Sequence, residues 1–222
     1  MNQTSPEPKR APKGKRLSKN AKRLIGIAVA VVVIAFLALG TKVVSSDDPL
    51  AQAQAAFDPA TFGAEKFDTV KEGVEDRAVD SVELANAIAA DPAAAADEYA
   101  VQSSGGPVFS TTFTGVVGEG ASGIYNIAVD GMPADLTLRV QFGPAINGTE
   151  LRDATGDIKF GEFKNQIEFQ NAAAALNDEV KTQVVGDVDV ASLAGKTVEI
   201  TGAFTLLNPS AWLVTPVAVN VE

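Results

Sequence analysis

Residues 24–41, LIGIAVAVVVIAFLALGT, form an 18-residue run without a charge, and no other feature constrains the chain as much. As a helix rising about 1.5 Å per residue the run spans roughly 27 Å, close to the hydrocarbon thickness of a bilayer. Eleven of its positions are Leu, Ile, Val or Phe. Together these contribute on the order of −3 to −7 kcal/mol toward insertion. Eight basic residues and one acid, Glu7, precede it and give +7 up to Arg23, whereas the 10 basic and 27 acidic residues that follow give −17. That asymmetry predicts a cytoplasmic N-terminus and an extracytoplasmic bulk. Residues 24–44 therefore read as a single-pass transmembrane helix, a signal-anchor. The alternative is a cleaved secretory signal, with small-x-small sites at Ala38-Leu39-Gly40 or Ala51-Gln52-Ala53, although the run exceeds the roughly 7–15 residues of a signal h-region. The arm 1–23 carries Pro6, Pro8 and Pro12 among its cations. It reads as a disordered cytoplasmic segment that meets anionic headgroups.

The chain has neither Cys nor His. That removes disulfide scaffolds, thiolate and imidazole metal sites, Ser-His-Asp and Cys-His catalysis, and thiol lipidation. No cofactor, metal or catalytic residue is expected. Nucleic-acid binding needs a basic track with stacking aromatics, and an outer part at −17 argues against it.

A short linker, residues 45–57, leads into a helical layer, 58–100. Asp58-Pro59 supplies a capping residue and a proline at the first helical position. Phe67, Val70, Val74 and Ala78 then recur at helical period. Asp80-Ser81 restarts a second helix with Val82, Leu84 and Ile88, and Asp91-Pro92 a third that ends near Tyr99. After Ser103–Pro107 the period becomes two. Phe109, Thr111, Phe113, Gly115 and Val117 mark a first strand, with a turn expected at Gly118–Gly120. Tyr125, Ile127 and Val129 mark a second, Asp130-Gly131 gives a hairpin signal, and Leu136, Leu138, Val140 and Phe142 mark a third. Phe169, Ala173, Leu176, Val180 and Val184 form a helical stripe that Gly186 ends. Two strands close the chain, along Val198–Leu206 and along Leu213, Thr215, Val217, Val219 and Val221; Pro216 makes the last an edge strand or places a bulge in it. The expected fold is thus α+β: a transmembrane helix, a short helical layer, then an OB-like β-barrel of five strands over 107–222, with one helix between strands 3 and 4. A small open β-sandwich is the alternative.

The connection Gly143–Asn165 is too long for a bare linker and holds Glu150, Arg152, Asp153, Asp157 and Glu162. Two carboxylates at the right separation suffice for glycoside hydrolysis. The competing expectation is structural: Arg152 pairs with carboxylates and locks the loop onto the barrel. In an extended segment Arg152 and Asp153 would face opposite sides, one toward the barrel and one toward solvent or a ligand. Thr149, Arg152, Asp153, Asn165 and Gln166 are the candidate structural or ligand-contact residues.

The stretches GPAINGTELRDA (Gly143–Ala154), FGEFKNQIEF (Phe160–Phe169) and ALND (Ala175–Asp178), with FDPATF (Phe57–Phe62) and WLVTPV (Trp212–Val217), resemble the bacterial predicted periplasmic lipoproteins grouped as domain of unknown function 2291. The resemblance runs from about Thr41 to the C-terminus. Family members typically carry a lipobox cysteine before a Lys-Val-Val-like segment; here Thr41 precedes Lys42-Val43-Val44. Thr41 cannot be lipidated, so a retained hydrophobic helix would substitute for the acyl anchor. The resemblance implies an extracytoplasmic location. It also implies, through the sugar ABC-transporter genes that often lie beside members, an accessory role in uptake with a permease or solute-binding protein as partner. No catalytic residue carries over. The expected function is a non-enzymatic binding or accessory module; the alternative is a carboxylate-dependent hydrolase of envelope glycans.

Overall fold

A computed structural model describes residues 57–222. The arm, the anchor and nearly all of the linker lie outside the described residues. Among the described residues no helix is long and apolar enough to cross a membrane.

Helix α1 (Pro59–Asp76) begins as the sequence predicts: the Asp58 carboxylate accepts the backbone N–H groups of Ala60 and Thr61. Phe67, Val70 and Val74 are its buried stripe. A two-residue strand β1 (Val79–Asp80) follows, then α2 (Ser81–Ala90), capped by Asp80, and α3 (Pro92–Tyr99), capped by Asp91. Each of these Asp side chains satisfies two amides that a helix start leaves unpaired.

The stretch read as helical layer and boundary also contributes to the sheet. Strand β2 (Ala100–Ser103) pairs antiparallel with β3 (Gly106–Ala121), and β1 pairs with β3 in parallel. Both are too short to leave a period in the sequence. The remaining strands are β4 (Ile124–Ala128), β5 (Thr137–Gln141), β6 (Thr197–Thr205) and β7 (Ala211–Val221). Their order is β3-β4-β5-β7-β6, and β6 pairs back onto β3, so the five long strands close on themselves. With β5 and β7 parallel and the other pairs antiparallel, this is the five-stranded Greek-key barrel expected of an OB-fold. Its main helix, α5 (Gln166–Glu179), lies between β5 and β6 and runs on as a π-helical turn, Val180–Val184. α1 packs along α5 and against β3, β6 and β7. Residues Ala56–Glu222 form one compact unit.

Two expectations about strands are corrected. β3 does not turn at Gly118–Gly120; it continues to Ala121, and its register against β4 shifts between Val117 and Gly120. The glycines there mark a bulge. The turn falls at Ser122-Gly123, where Gly123 adopts φ +81° and a Cβ would overlap the Gly143 carbonyl. In β7 the inward residues are Trp212 and Val214 before Pro216, and Val217 after it, instead of one unbroken Leu213–Val221 stripe. Thr201 faces Ala218 whereas Gly202 faces Pro216, so a bulge at Val217 switches the inward side. Of the two roles open to Pro216, a bulge is the one observed; β7 has partners on both sides.

Trp212 fills the barrel. Its ring stacks on Phe204 at 4.5 Å, Phe204 stacks on Phe109 at 5.6 Å, and its indole N–H donates to the Pro209 carbonyl at 3.1 Å. A buried indole keeps its polar end satisfied in this way.

Candidate functional site

The segment between β5 and α5 is built around buried polar groups. Gln141, at the end of β5 between Val140 and Phe142, is buried. Its side-chain amide donates to the Asn147 carbonyl at 2.9 Å and to the Thr215 hydroxyl at 2.8 Å, and its carbonyl accepts the Asn147 N–H at 3.0 Å. One side chain thereby pins the backbone of Asn147. Next to it Gly148 adopts φ +121°, and a Cβ would overlap the Glu150 carboxylate. The Gly148 carbonyl accepts from the side-chain amide of Asn177, a buried residue of α5, at 3.0 Å.

A single helical turn follows, α4 (Glu150–Asp153). It overturns the expectation that Arg152 and Asp153 face opposite ways. In helical backbone both point inward and are buried. The Arg152 guanidinium grips the Asp153 carboxylate through Nε at 2.7 Å and Nη2 at 2.9 Å. Its Nη1 donates to the Phe169 carbonyl at 3.2 Å, and the guanidinium carbon lies 3.6 Å above the Phe169 ring. The planar fork thus satisfies one carboxylate and one helix carbonyl while stacking on an aromatic face. It fastens α4 to α5.

Glu150 is largely buried, with one carboxylate oxygen 3.5 Å from the Thr205 hydroxyl and the other without a partner. Burial, and to a smaller degree the Asp153 charge, push its pKa above the ordinary carboxylate value; its own backbone N–H, Thr205 and Arg152 pull the other way. Thr149 precedes α4 without capping it by its side chain. Asn165 caps α5, accepting the N–H groups of Ile167 and Glu168, and Gln166 begins that helix; both are exposed. Asp157 and Glu162 are also exposed, and the Glu162 carboxylate accepts the Lys159 N–H. The loop's carboxylates therefore do not converge on one cleft.

A groove of about 300 Å³ lies between the loop Ile146–Thr149 and the face of α5. Ala173 and Ala174 leave its floor open, while Thr149, Gln170, Asn177 and Asp178 supply polar groups. Lys181, in the π turn, closes one rim through an ion pair with Asp178 at 2.7 Å. Of the five sequence candidates only Thr149 lines this groove; Arg152 and Asp153 brace the wall behind it. Gln141 stands between Val140 and Phe142 on a strand, and Asn177 opens the polar run Asn177-Asp178-Glu179, so neither position marks its side chain as an inward amide. Among the described residues no three His, Cys, Asp or Glu side chains come together as a metal site.

The closed five-stranded barrel and its interposed helix define an OB-fold protein. A crystal structure of an OB-fold protein from Thermotoga maritima superposes with a TM-score of 0.62 at 22% identity, covering 75% of this chain and 99% of that one. The sequence profile of the predicted periplasmic lipoproteins (DUF2291) matches residues 31–220, and the chain belongs to that family. Family membership implies an extracytoplasmic location. No curated protein matches the chain.

Proposed function

We propose that this protein is a membrane-attached extracytoplasmic binding or accessory module, not an enzyme, that acts beside a sugar ABC importer. The observation that carries the reading is the groove along α5, where amide, hydroxyl, carboxylate and ammonium groups meet over an alanine floor. Such side chains hydrogen-bond hydroxyl-rich ligands or a partner's backbone without doing chemistry on them. The family's gene context, often beside sugar importers, supports the partner. Because the chain has no cysteine to acylate, the uncharged run 24–41 takes the place of a lipid anchor.

The hydrolase reading draws on one observation, the raised pKa of Glu150 beside Asp153. Against it, the Asp153 carboxylate is gripped by Arg152, and the free oxygen of Glu150 has no solvent access. A glycosidase needs both carboxyls open to the sugar.

A photoreactive residue at position 170, in membranes of the native cell, tests the proposal. Adducts with a permease or solute-binding protein of a sugar importer are expected. Adducts confined to unrelated envelope proteins would contradict the partner, and glycan cleavage abolished by Glu150→Gln would install the hydrolase.

A further inference from the structure

Of the three arginines among the described residues, two are engaged: Arg77 donates to the Gly73 carbonyl, and Arg152 grips Asp153. Arg139, in the middle of β5, is half-buried, and among the described residues it has neither an ion pair nor a hydrogen bond. Its Nε is buried without a partner. A buried guanidinium N–H left unmet is costly, and an acceptor brought by a ligand removes that cost.

Arg139 lines a groove of about 420 Å³ on the outer face of β3, β4 and β5. Asn126 stands directly opposite it in the β4–β5 ladder, so the two side chains share that face, as does Ile124 two residues away. β3 contributes through its bulge. There Gly118 and Glu119 stand against Asn126 alone, and the exposed Glu119 also lines the groove. The close pairing beside it requires Gly120, since a Cβ would lie 2.5 Å from the Ile124 carbonyl oxygen and from the Tyr125 ring. Glu119 and Arg139 thus border one groove and form no ion pair with each other. This groove shares no lining residue with the one along α5.

We infer that the Arg139 groove is a second binding site, for a sugar acid of the hexuronate class held by its carboxylate. The fork of Arg139 matches two carboxylate oxygens. Glu119 accepts from ring hydroxyls, Asn126 donates or accepts, and Ile124 packs against ring C–H groups. A phosphate fits less well, because its larger negative charge would stand beside Glu119. A neutral sugar brings no charged acceptor to the guanidinium.

Ligand-detected NMR titrations of the full chain in lipid nanodiscs, with galacturonate, galactose, alanine and inorganic phosphate, test the inference. Saturable binding of galacturonate is expected, with Arg139→Gln weakening it at least about tenfold. Asn126→Asp changes an exposed position. It should weaken galacturonate by a similar factor at the natural Tm, because the new carboxylate pairs with Arg139 and repels that of the ligand. Unaltered affinity in either variant overturns the site, as does a natural chain that galacturonate does not saturate. Galactose, alanine or phosphate bound as tightly as galacturonate overturns the ligand class. Loss of binding on Gln170→Ala, with Arg139→Gln silent, puts the acid in the α5 groove; that overturns this inference and leaves the proposed function standing.

Discussion

Arg152 and Asp153 are neighbours in sequence, buried together, and each is the other's principal charge partner. Removing either leaves an uncompensated buried charge. Arg152→Ala and Asp153→Ala should therefore both lose roughly 3–5 kcal/mol in thermal or urea melts. The double variant should lose less than the sum of the two. A negligible effect of either single change would contradict the clamp. Glu150 predicts the opposite trend. Its pKa is raised in the folded state, so the folded state holds the proton more tightly than the unfolded chain. Stability from this group is full at acid pH and falls as pH rises from the ordinary value of 4.5 through the raised one. Glu150→Gln should flatten that decline and stabilise the protein at neutral pH, as urea titrations between acid and neutral pH would read; an unchanged slope would refute it. The chemistry of an Arg fork was legible from residue type alone. Its direction was not, because one helical turn of four residues is too short to impose a readable period and the segment was taken as extended. Gln141 and Asn177 were invisible for a related reason: only tertiary contact tells an inward amide from an outward one.

Elements with strong periods or caps were read well. The Asp58, Asp80 and Asp91 caps start three helices where expected, and the stripe Phe169–Val180 is the buried face of α5 and its extension. Where a bulge intervenes, the period-two signal fails. Past Pro216 the inward side of β7 changes, so a strict alternation assigned Leu213 to the core in place of Trp212 and Val214. Glycine misled in another way, since Gly118 and Gly120 suggested a break that falls at Ser122-Gly123 instead. That position demands glycine twice over, for its positive φ and for the Gly143 carbonyl where a Cβ would stand. Gly123→Ala should cost more than about 2 kcal/mol, through backbone strain added to steric overlap. A Tm unchanged from the natural protein would show that the β3–β4 turn and the loop after β5 are not in close contact.

At the scale of the whole molecule, sequence and fold address different parts of the chain. Charge asymmetry and the uncharged run carry the proposed membrane attachment, while the described unit supplies a barrel, a helix and a groove. The full chain should resist alkaline carbonate extraction and keep residues 24–44 by intact mass; a soluble product starting near Thr41 or later would contradict the anchor. Closure of the barrel could be anticipated because strand order and the single interposed helix restrict the topologies open to a small β protein. The groove could not, since it arises from a loop and a helix face that only the closed barrel brings together. The central claim is that this groove binds and does not turn over its ligand. A nitrogen-15 NMR titration of Ala56–Glu222 with a panel of mono- and oligosaccharides, and with the solute-binding protein of a sugar importer from the same cell, addresses it directly. The account predicts saturable shifts clustered at Asn147–Thr149 and Gln170–Lys181, with the added sugars recovered intact. Shifts absent from both segments, or new reducing ends appearing in the sugar spectrum, would contradict it.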